Sequence, residues 1–222
     1  MLPTSVDFRK LMDEVRDQGS RPTCVAFALT AAHEKWRVAA ENISEDLCEE
    51  FLYWAAKKVD MNGLAGTSLN SAAKALGDTG QPNEDSWPYD SEFDDSLSNL
   101  EPPALLDFDK CIQLETEALD LTLTEIKSRL SSEDAVVLVV PVCDSFFITD
   151  DGFMQLPSPE EIIADLHAVL IVGYDDSLHN GVLMIRNSWG ADWGDEGYGY
   201  LPYSYFESFA LDAWAVKKRK ID

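Results

Sequence analysis

The amino-acid sequence predicts an α+β fold with two unlike lobes, and three observations support this. Helix-type patterns fill the first half of the chain, whereas strand-type patterns rich in β-branched and aromatic residues fill the second half. Residues 81–110, rich in Pro, Asp, Ser and Glu, separate the halves and are predicted as long loops. Such segregation is typical of α+β proteins. We expect one domain over residues 1–222, with a helical lobe over about 10–105 and a β lobe over about 106–222.

The helices are predicted from apolar spacing and from start and stop signals. They cover residues 25–41, 46–58, 68–76 and 124–130. The first half of 25–41 is apolar almost all round, which predicts a buried central helix. Pro22 and Thr23 lie where helix starts favour proline and a hydroxyl cap, and Gly77 and Gly80 are expected to end the third helix.

The strands are predicted from short runs of Val, Ile, Leu and Tyr. They cover residues 135–142, 167–174, 181–186, 198–202 and 213–217. A polar turn joins the second and third of these into a predicted hairpin. The basic residues 217–220 are expected to form a solvated tail rather than a targeting or polyanion-binding signal.

Composition excludes several classes of protein. The chain has 222 residues, is 45% hydrophobic and carries a formal net charge of −24, which disfavours nucleic acids and anionic membrane surfaces. No apolar run approaches the roughly 20 residues of a membrane span. The four cysteines have neither metal-ligand spacing nor disulfide-scaffold density, so we expect no metal, no cofactor and a reduced, cytoplasmic protein. The alternative is the excised mature domain of a longer or secreted protein. The sequence leaves the oligomeric state open.

Cys24 is the candidate nucleophile because it lies at the start of the predicted central helix. A neutral thiol is a poor nucleophile, and the unpaired N–H groups and positive dipole end of a helix start stabilise a thiolate. The alternative for any free cysteine is a small buried apolar residue. That alternative fits Cys48, Cys111 and Cys143 better, since each lies in or beside an apolar stretch.

His167 is the candidate base when the three histidines are compared. His33 lies nine residues along the same helix as Cys24, about 13 Å away at about 1.5 Å per residue. His179 lies in a polar turn, where a solvated role is the default. His167 opens a predicted strand, and elimination leaves it as the partner of the thiol.

Asn187 is predicted to face His167 across the hairpin. A turn centred near residue 177 makes residues 167 and 187 symmetric about it. Residues that face each other in a ladder have Cβ atoms about 5 Å apart, so the Asn187 amide oxygen can hold the imidazole. The alternative is a buried polar pair without a catalytic role.

Two further side chains are candidates to support this site. Gln18, six positions before Cys24, can supply an N–H that joins the Cys24 backbone N–H in an oxyanion hole. Trp189, in the Gly-rich loop after Asn187, can shield the His–Asn hydrogen bond from water. The alternatives are an ordinary loop glutamine and a tryptophan that only packs in the core. A cysteine, a histidine and an asparagine in this order predict a cysteine peptidase.

Several stretches of the chain resemble the papain family of cysteine peptidases. They are residues 2–9, 18–24, 86–90, 167–174 and 185–198, the last of which reads Ile-Arg-Asn-Ser-Trp-Gly-Ala-Asp-Trp-Gly-Asp-Glu-Gly-Tyr and is the most specific. The resemblance implies a papain-like two-lobe fold, with a mainly helical N-terminal lobe, an antiparallel β-barrel-like C-terminal lobe and an active-site cleft between them. It also implies the catalytic roles, which are Cys24 as nucleophile, His167 as acid and base, Asn187 as its orienting group and Gln18 in the oxyanion hole.

The chain departs from the family pattern around the nucleophile. The family signature has a disulfide-forming cysteine three positions before the nucleophile, where this chain has Arg21, and residues 61–63 also lack the partner cysteine. This double loss indicates a version maintained in a reducing compartment. Val25 replaces the aromatic residue that follows the nucleophile and is expected to loosen the packing there. No inhibitory leader precedes Leu2, which leaves control by another route or by a leader outside this sequence.

The resemblance also implies where a substrate binds. Gly66 and Thr67 are assigned to the strip that pairs with the substrate backbone, within residues 63–67. The pocket for the second residue upstream of the cut would be lined by Leu138, Ala168 and Leu211. All three are apolar, so the resemblance implies a preference for an aliphatic or aromatic residue at that position.

Two other functions fit the same residues. The first is acyl or amide transfer by the same triad, which an amine acceptor mixed with a peptide ester would reveal. The second is a papain-like module that binds peptides in its cleft without cutting them, against which the intact triad argues. The expected partner in every case is a peptide or a protein, and hydrolysis is the first hypothesis.

Overall fold

Three long helices dominate the first part of the chain. The computed structural model describes residues 1–61, 64–93, 100–147, 149 and 151–217. A short strand, β1 (Ser5–Asp7), precedes helices α1 (Cys24–Glu41), α2 (Glu49–Asp60) and α3 (Leu69–Asp78). The later helices are shorter and are α4 (Leu123–Ser131), α5 (Asp144–Phe147) and α6 (Tyr203–Phe209).

The second part of the chain supplies most of an antiparallel sheet. Its strands are β2 (Thr116–Ala118), β3 (Ala135–Val142), β4 (Asp165–Asp175), β5 (Val182–Arg186), β6 (Tyr198–Pro202) and β7 (Asp212–Val216). The described strands follow the order β2-β7-β3-β4-β5-β6, and β1 pairs with the end of β4. The α+β prediction is therefore confirmed. The first strand of the chain, which the sequence patterns did not predict, belongs to the same sheet.

The start of α1 differs from the prediction in one respect that matters for the site. The helix is buried over residues 25–37, as expected for a central helix. Thr23 occupies the N-cap position, but its side chain caps no backbone N–H and its hydroxyl bonds the Tyr89 hydroxyl at 2.8 Å instead. The predicted hydroxyl cap is therefore wrong. The first-turn N–H groups of α1 are free of a capping side chain next to Cys24.

Two other helix boundaries also differ from the prediction. Helix α2 begins three residues later than expected, because Leu47 pairs with another segment and the sulfur of Cys48 caps the helix at 3.2 Å from a backbone N–H. Helix α3 continues through Gly77, the first of the two glycines predicted to end it. It ends before Gly80, whose φ of +79° lets its N–H turn back to the Ala75 carbonyl at 3.2 Å.

The short elements were not predicted because they are too brief to show a period. Strands β1 and β2 have three residues each, and α5 has four. Helix α6 is aromatic and polar without a clear apolar face. In the predicted basic tail, Lys217 forms an ion pair with Glu117 at 2.9 Å, and residues 218–220 lie outside the described part of the chain.

The core lies between α1 and the sheet and thereby positions the two halves of the site. One continuous apolar cluster includes Leu29 of α1, Leu52 of α2 and Ile171 of β4, all fully buried. Burying these faces against each other stabilises the fold by about 25 cal/mol per Å² of apolar surface. The N-terminal end of α1 is therefore fixed against the first half of β4.

Candidate active site

The Cys24 thiol lies at the first position of α1 and is half-buried. The backbone N–H groups of Ala168 and Val25 lie within hydrogen-bonding reach of the sulfur and favour its thiolate. Burial is the larger effect and raises the pKa of Cys24, and the nearby charge of Asp165 raises it further. Since Ala168 directly follows His167 in β4, the start of the helix and the start of the strand meet at this sulfur.

His167 and Asn187 form a buried hydrogen-bonded pair. The Nε2 atom of His167 lies 2.7 Å from Oδ1 of Asn187, and the side chains are 5% and 3% exposed. The same oxygen accepts the backbone N–H of Ser188 at 2.8 Å, which fixes the orientation of the amide. Burial lowers the pKa of His167 to about 4, although the bond to Asn187 and the charge of Asp165 act in the opposite direction. The Nδ1 atom is the ring nitrogen that this pair leaves for proton exchange.

The hairpin brings these two residues together by a route that differs from the prediction. Leu170 pairs with Arg186, which is two residues from the predicted register, and a β-bulge follows between Ile171 and Gly173. The turn lies further along the chain than predicted, so Asp175 pairs with Val182, three residues from the predicted register. The extra residue of the bulge in β4 reduces this shift to two. Asn187 lies one residue beyond the last ladder pair and contacts His167 from there. The predicted contact is present, whereas the predicted face-to-face pairing is wrong.

Gln18 lies in the loop before α1 with its amide held at both ends. Its Nε2 donates to the Arg21 carbonyl at 2.7 Å, and its Oε1 accepts the Ser188 hydroxyl at 2.6 Å. These partners use one of the two N–H bonds of the amide and set the plane of the group. The amide keeps a second N–H that these two partners do not use.

An aromatic wall covers the His–Asn pair. The Trp189 ring lies 4.5 Å from the His167 ring between centroids, and Phe147 stacks on Trp189 at 4.9 Å with an interplanar angle of 11°. Phe146 meets the His167 ring edge to face at 6.3 Å. The sequence reasoning identified Trp189 but missed both phenylalanines. The adjacent Phe-Phe pair shortly after a predicted strand was the signal available for them.

The Gly66 segment lies against the loop that carries the nucleophile. Gly66 has a φ of +72°, and a Cβ atom there would lie 3.4 Å from the Pro22 carbonyl oxygen, so glycine suits the position. Lys57 of α2 donates to the Gly66 carbonyl at 2.8 Å and also to the Leu64 carbonyl. The Thr67 hydroxyl donates to the carboxylate of Asp60 at 2.5 Å. Residue 63, which the sequence assigned to the same strip, lies outside the described residues.

The three residues predicted to line the substrate pocket are not equally placed. Leu211 is 52% exposed, whereas Ala168 is 1% exposed and Leu138 is fully buried in the core. Successive side chains of a strand point to opposite faces, so Leu138 faces away from the half-buried Val139. The Leu211 N–H bonds the Val139 carbonyl at 3.0 Å. Leu138 is therefore on the core side of β3, whereas Val139, which pairs with Ala168, lies on the same face of the sheet as Ala168.

Two negative findings apply to the described ranges. Within them, no group of three His, Cys, Asp or Glu side chains is arranged to hold a metal ion. No helix in the same ranges has both the length and the apolar character needed to cross a membrane.

Comparison with known proteins identifies the family. The model of the papain family of cysteine proteases matches residues 2–208. Pro-cathepsin H of Mus musculus is 30% identical over 212 residues, which cover 88% of this chain and 59% of that protein. A cathepsin L-like peptidase of Aedes aegypti is 31% identical over 89% of this chain and 58% of its own length. The chain thus spans about three fifths of these curated relatives.

Solved structures agree with this match. Xylellain, a cysteine protease from Xylella fastidiosa, superimposes with a TM-score of 0.88 at 25% identity, over 99% of this chain and 88% of the other. Digestive procathepsin L 3 of Tenebrio molitor shares the fold with a TM-score of 0.80 at 23% identity, over 96% of this chain and 69% of its own. The family match and the shared fold together show that the chain belongs to the papain family of cysteine proteases.

Proposed function

We propose that this chain is a cysteine peptidase that hydrolyses peptide bonds through Cys24 and His167. The observation that carries the proposal is that the Cys24 sulfur at the start of α1 accepts the backbone N–H of Ala168, the residue after His167, whose imidazole lies 2.7 Å from Asn187. Family membership supports the same reaction class.

The nucleophile is proposed to form by proton transfer within the Cys24–His167 pair. Burial raises the pKa of the thiol and lowers that of the imidazole, so neither group gains its charge readily alone. Moving the thiol proton to Nδ1 of His167 creates both charges at once. Opposite charges in contact, about 4 Å apart, attract by about 4 kcal/mol at an effective dielectric constant near 20, so an ion pair formed at contact distance would offset much of the cost of burying both groups. The N–H groups of Ala168 and Val25 add to the stabilisation of the thiolate.

The reaction then follows two steps through an acyl-enzyme. The thiolate attacks the peptide carbonyl, and the free N–H of Gln18 with the Cys24 backbone N–H holds the oxyanion. His167 gives its proton to the leaving amine as the C–N bond breaks. It next takes a proton from water, which attacks the thioester and releases the acid and the free thiol.

The substrate preference is proposed to be apolar at the second residue upstream of the cut. Val139, Ala168 and Leu211 supply apolar surface beside the nucleophile, and Val139 replaces the buried Leu138 in this role. The backbone of the same substrate segment is proposed to pair with the strip at Gly66. A library of peptides varied at that position should favour aliphatic and aromatic residues. A profile led by Arg or Lys would contradict the assignment.

The test of the function is hydrolysis of fluorogenic peptides by matched cysteine variants. Cys24→Ala should abolish turnover and leave the melting temperature within a few degrees of the wild type. Cys111→Ala, which changes another half-buried thiol, should retain turnover. Equal activity in the Cys24→Ala variant would refute the proposal. An amide product in place of the acid, when an amine acceptor is present, would instead indicate acyl transfer. A reducing, cytoplasmic location is a separate proposal.

A further inference from the structure

The Arg21 side chain forms a buried ionic cluster next to the nucleophile loop. Its two terminal nitrogens lie 2.6 and 2.8 Å from the two carboxylate oxygens of Glu50 in α2, and both side chains are 2% exposed. The same guanidinium donates to the Asp90 carbonyl at 2.7 Å. It also lies over the Tyr89 and Phe93 rings, at 4.8 and 5.2 Å from their centroids. A two-pronged pair enclosed in this way allows the arginine little freedom.

The Arg21 carbonyl connects this cluster to both donors of the proposed oxyanion hole. It accepts Nε2 of Gln18 at 2.7 Å and the backbone N–H of Thr23 at 2.9 Å. Thr23 directly precedes Cys24, whose N–H is the second oxyanion donor. The Tyr89 hydroxyl closes the arrangement, with 2.8 Å to the Thr23 hydroxyl and 2.8 Å to the Gln18 carbonyl.

The position of this carbonyl decides where the free N–H of Gln18 points. An amide nitrogen carries two N–H bonds in one plane, so fixing one of them to the Arg21 carbonyl fixes the direction of the other. Displacements of about 1 Å in such donors cost about 10²-fold in rate, because the donor must meet the oxygen where charge develops. A side chain that immobilises the carbonyl therefore acts on catalysis without touching the substrate.

We propose that the Arg21–Glu50 pair is a positioning device for the oxyanion hole, acting through Gln18. This inference rests on the proposed peptidase function. Arg21 is therefore expected to affect the rate at which the acyl-enzyme forms. It is expected to affect neither thiolate formation nor substrate binding in the ground state.

The experiment is a double-mutant cycle between Arg21→Met and Gln18→Ala, measured as kcat and KM on a peptide substrate. Arg21→Met should lower kcat by about 10²-fold with KM within about twofold. In the Gln18→Ala background the same substitution should lower kcat by less than about threefold, because the donor it positions is already gone. Equal losses in both backgrounds, or an unchanged kcat in the single variant, would overturn the proposal.

Alkylation of Cys24 by iodoacetamide separates positioning from collapse of the site. This reaction needs the thiolate but forms no oxyanion, so its rate should be the same in Arg21→Met and in the wild type. A parallel loss of alkylation and kcat would mean that Arg21 only supports the fold. Arg37→Met serves as the matched control, since Arg37 is also buried and paired with two glutamates but lies far along α1.

A variant without a lone buried charge covers the case in which Arg21→Met does not fold. Arg21→Met/Glu50→Met removes both charges together, which avoids an unpaired carboxylate in the core. This double variant should fold and show the same loss of kcat as Arg21→Met. The conservative variant Arg21→Lys should have a kcat between those of Arg21→Met and the wild type. A folded double variant with wild-type kcat would overturn the positioning role. Absence of Cys24-dependent hydrolysis in the wild type would instead contradict the peptidase function itself.

Discussion

Replacing Asn187 by Ala removes the oxygen that lies 2.7 Å from Nε2 of His167. Hydrogen bonds to a charged partner contribute about 1.5–3 kcal/mol, and the partner here is the imidazolium that forms during the reaction. At about 1.4 kcal/mol per factor of ten, kcat/KM should fall by about 10- to 100-fold. The pair is buried beneath Trp189, so the upper part of this range is expected.

The pH profile of the same variant gives an independent readout. The bond to Asn187 raises the pKa of His167, since it stabilises the protonated ring. Without it the imidazolium loses its proton at lower pH, and the alkaline limb of kcat/KM should move to lower pH. The assay is hydrolysis of a fluorogenic peptide from acid to alkaline pH.

Asn70→Ala on the exposed side of α3 is the matched control and should behave as the wild type. The melting temperature establishes that each variant is folded. A kcat/KM within twofold of the wild type, with an unmoved alkaline limb, would refute the reasoning that Asn187 supports His167.

Three further predictions concern the cleft and the buried histidines. Lys57→Met frees the Gly66 segment and should raise KM several-fold at constant kcat, measured by steady-state kinetics. In a Cys24→Ala background, which removes the thiolate partner, Trp189→Ala admits water to His167 and should raise its pKa from about 4 toward 6.5, followed by NMR titration. Burial lowers the pKa of His33 from 6.5 to about 4, so its stabilisation is complete above pH 6.5 and is lost as the pH falls to 4. Denaturant unfolding should show that His33→Asn reduces this acid-induced loss by about 3 kcal/mol, at about 1.36 kcal/mol per pH unit.

Each of these has an outcome that contradicts it. Lys58→Met, next to Lys57 but paired with the exposed Glu101, should leave KM unchanged; an equal change in both variants would argue against the Gly66 anchor. A Trp189→Ala protein whose His167 still titrates near pH 4 would mean that other groups keep water from the ring. An unaltered pH dependence of unfolding in His33→Asn would exclude a lowered pKa for His33.

The sequence predicted the elements whose signal is local and long. The first half of residues 25–41 is apolar almost all round, and strands 135–142 and 198–202 were predicted with the bounds that the structure has. The His167–Asn187 contact was also predictable, because one turn separates the two strands that bring these residues together.

The errors arose where tertiary contacts override local patterns. The turn lies further along the chain than its polar residues suggested, and the bulge in β4 is invisible in a run of apolar residues, so the ladder register was wrong while the contact was right. Leu138 and Val139 are equally apolar. Only the side of the sheet to which each side chain points distinguishes the buried Leu138 from the half-buried Val139. The pairing of Arg21 with Glu50 joins residues 29 positions apart and has no sequence spacing that would signal it.

The account depends most on the coupling of the Cys24 thiol to the His167 ring. The most direct measurement is the rate of iodoacetamide alkylation of Cys24 against pH, in the wild type and in His167→Ala. Cys24 of the wild type should react as a thiolate well below the ordinary thiol pKa of about 8.5. In His167→Ala the reaction should require a pH at or above that value, because burial alone raises the pKa of Cys24. Superimposable profiles for the two proteins would contradict the account.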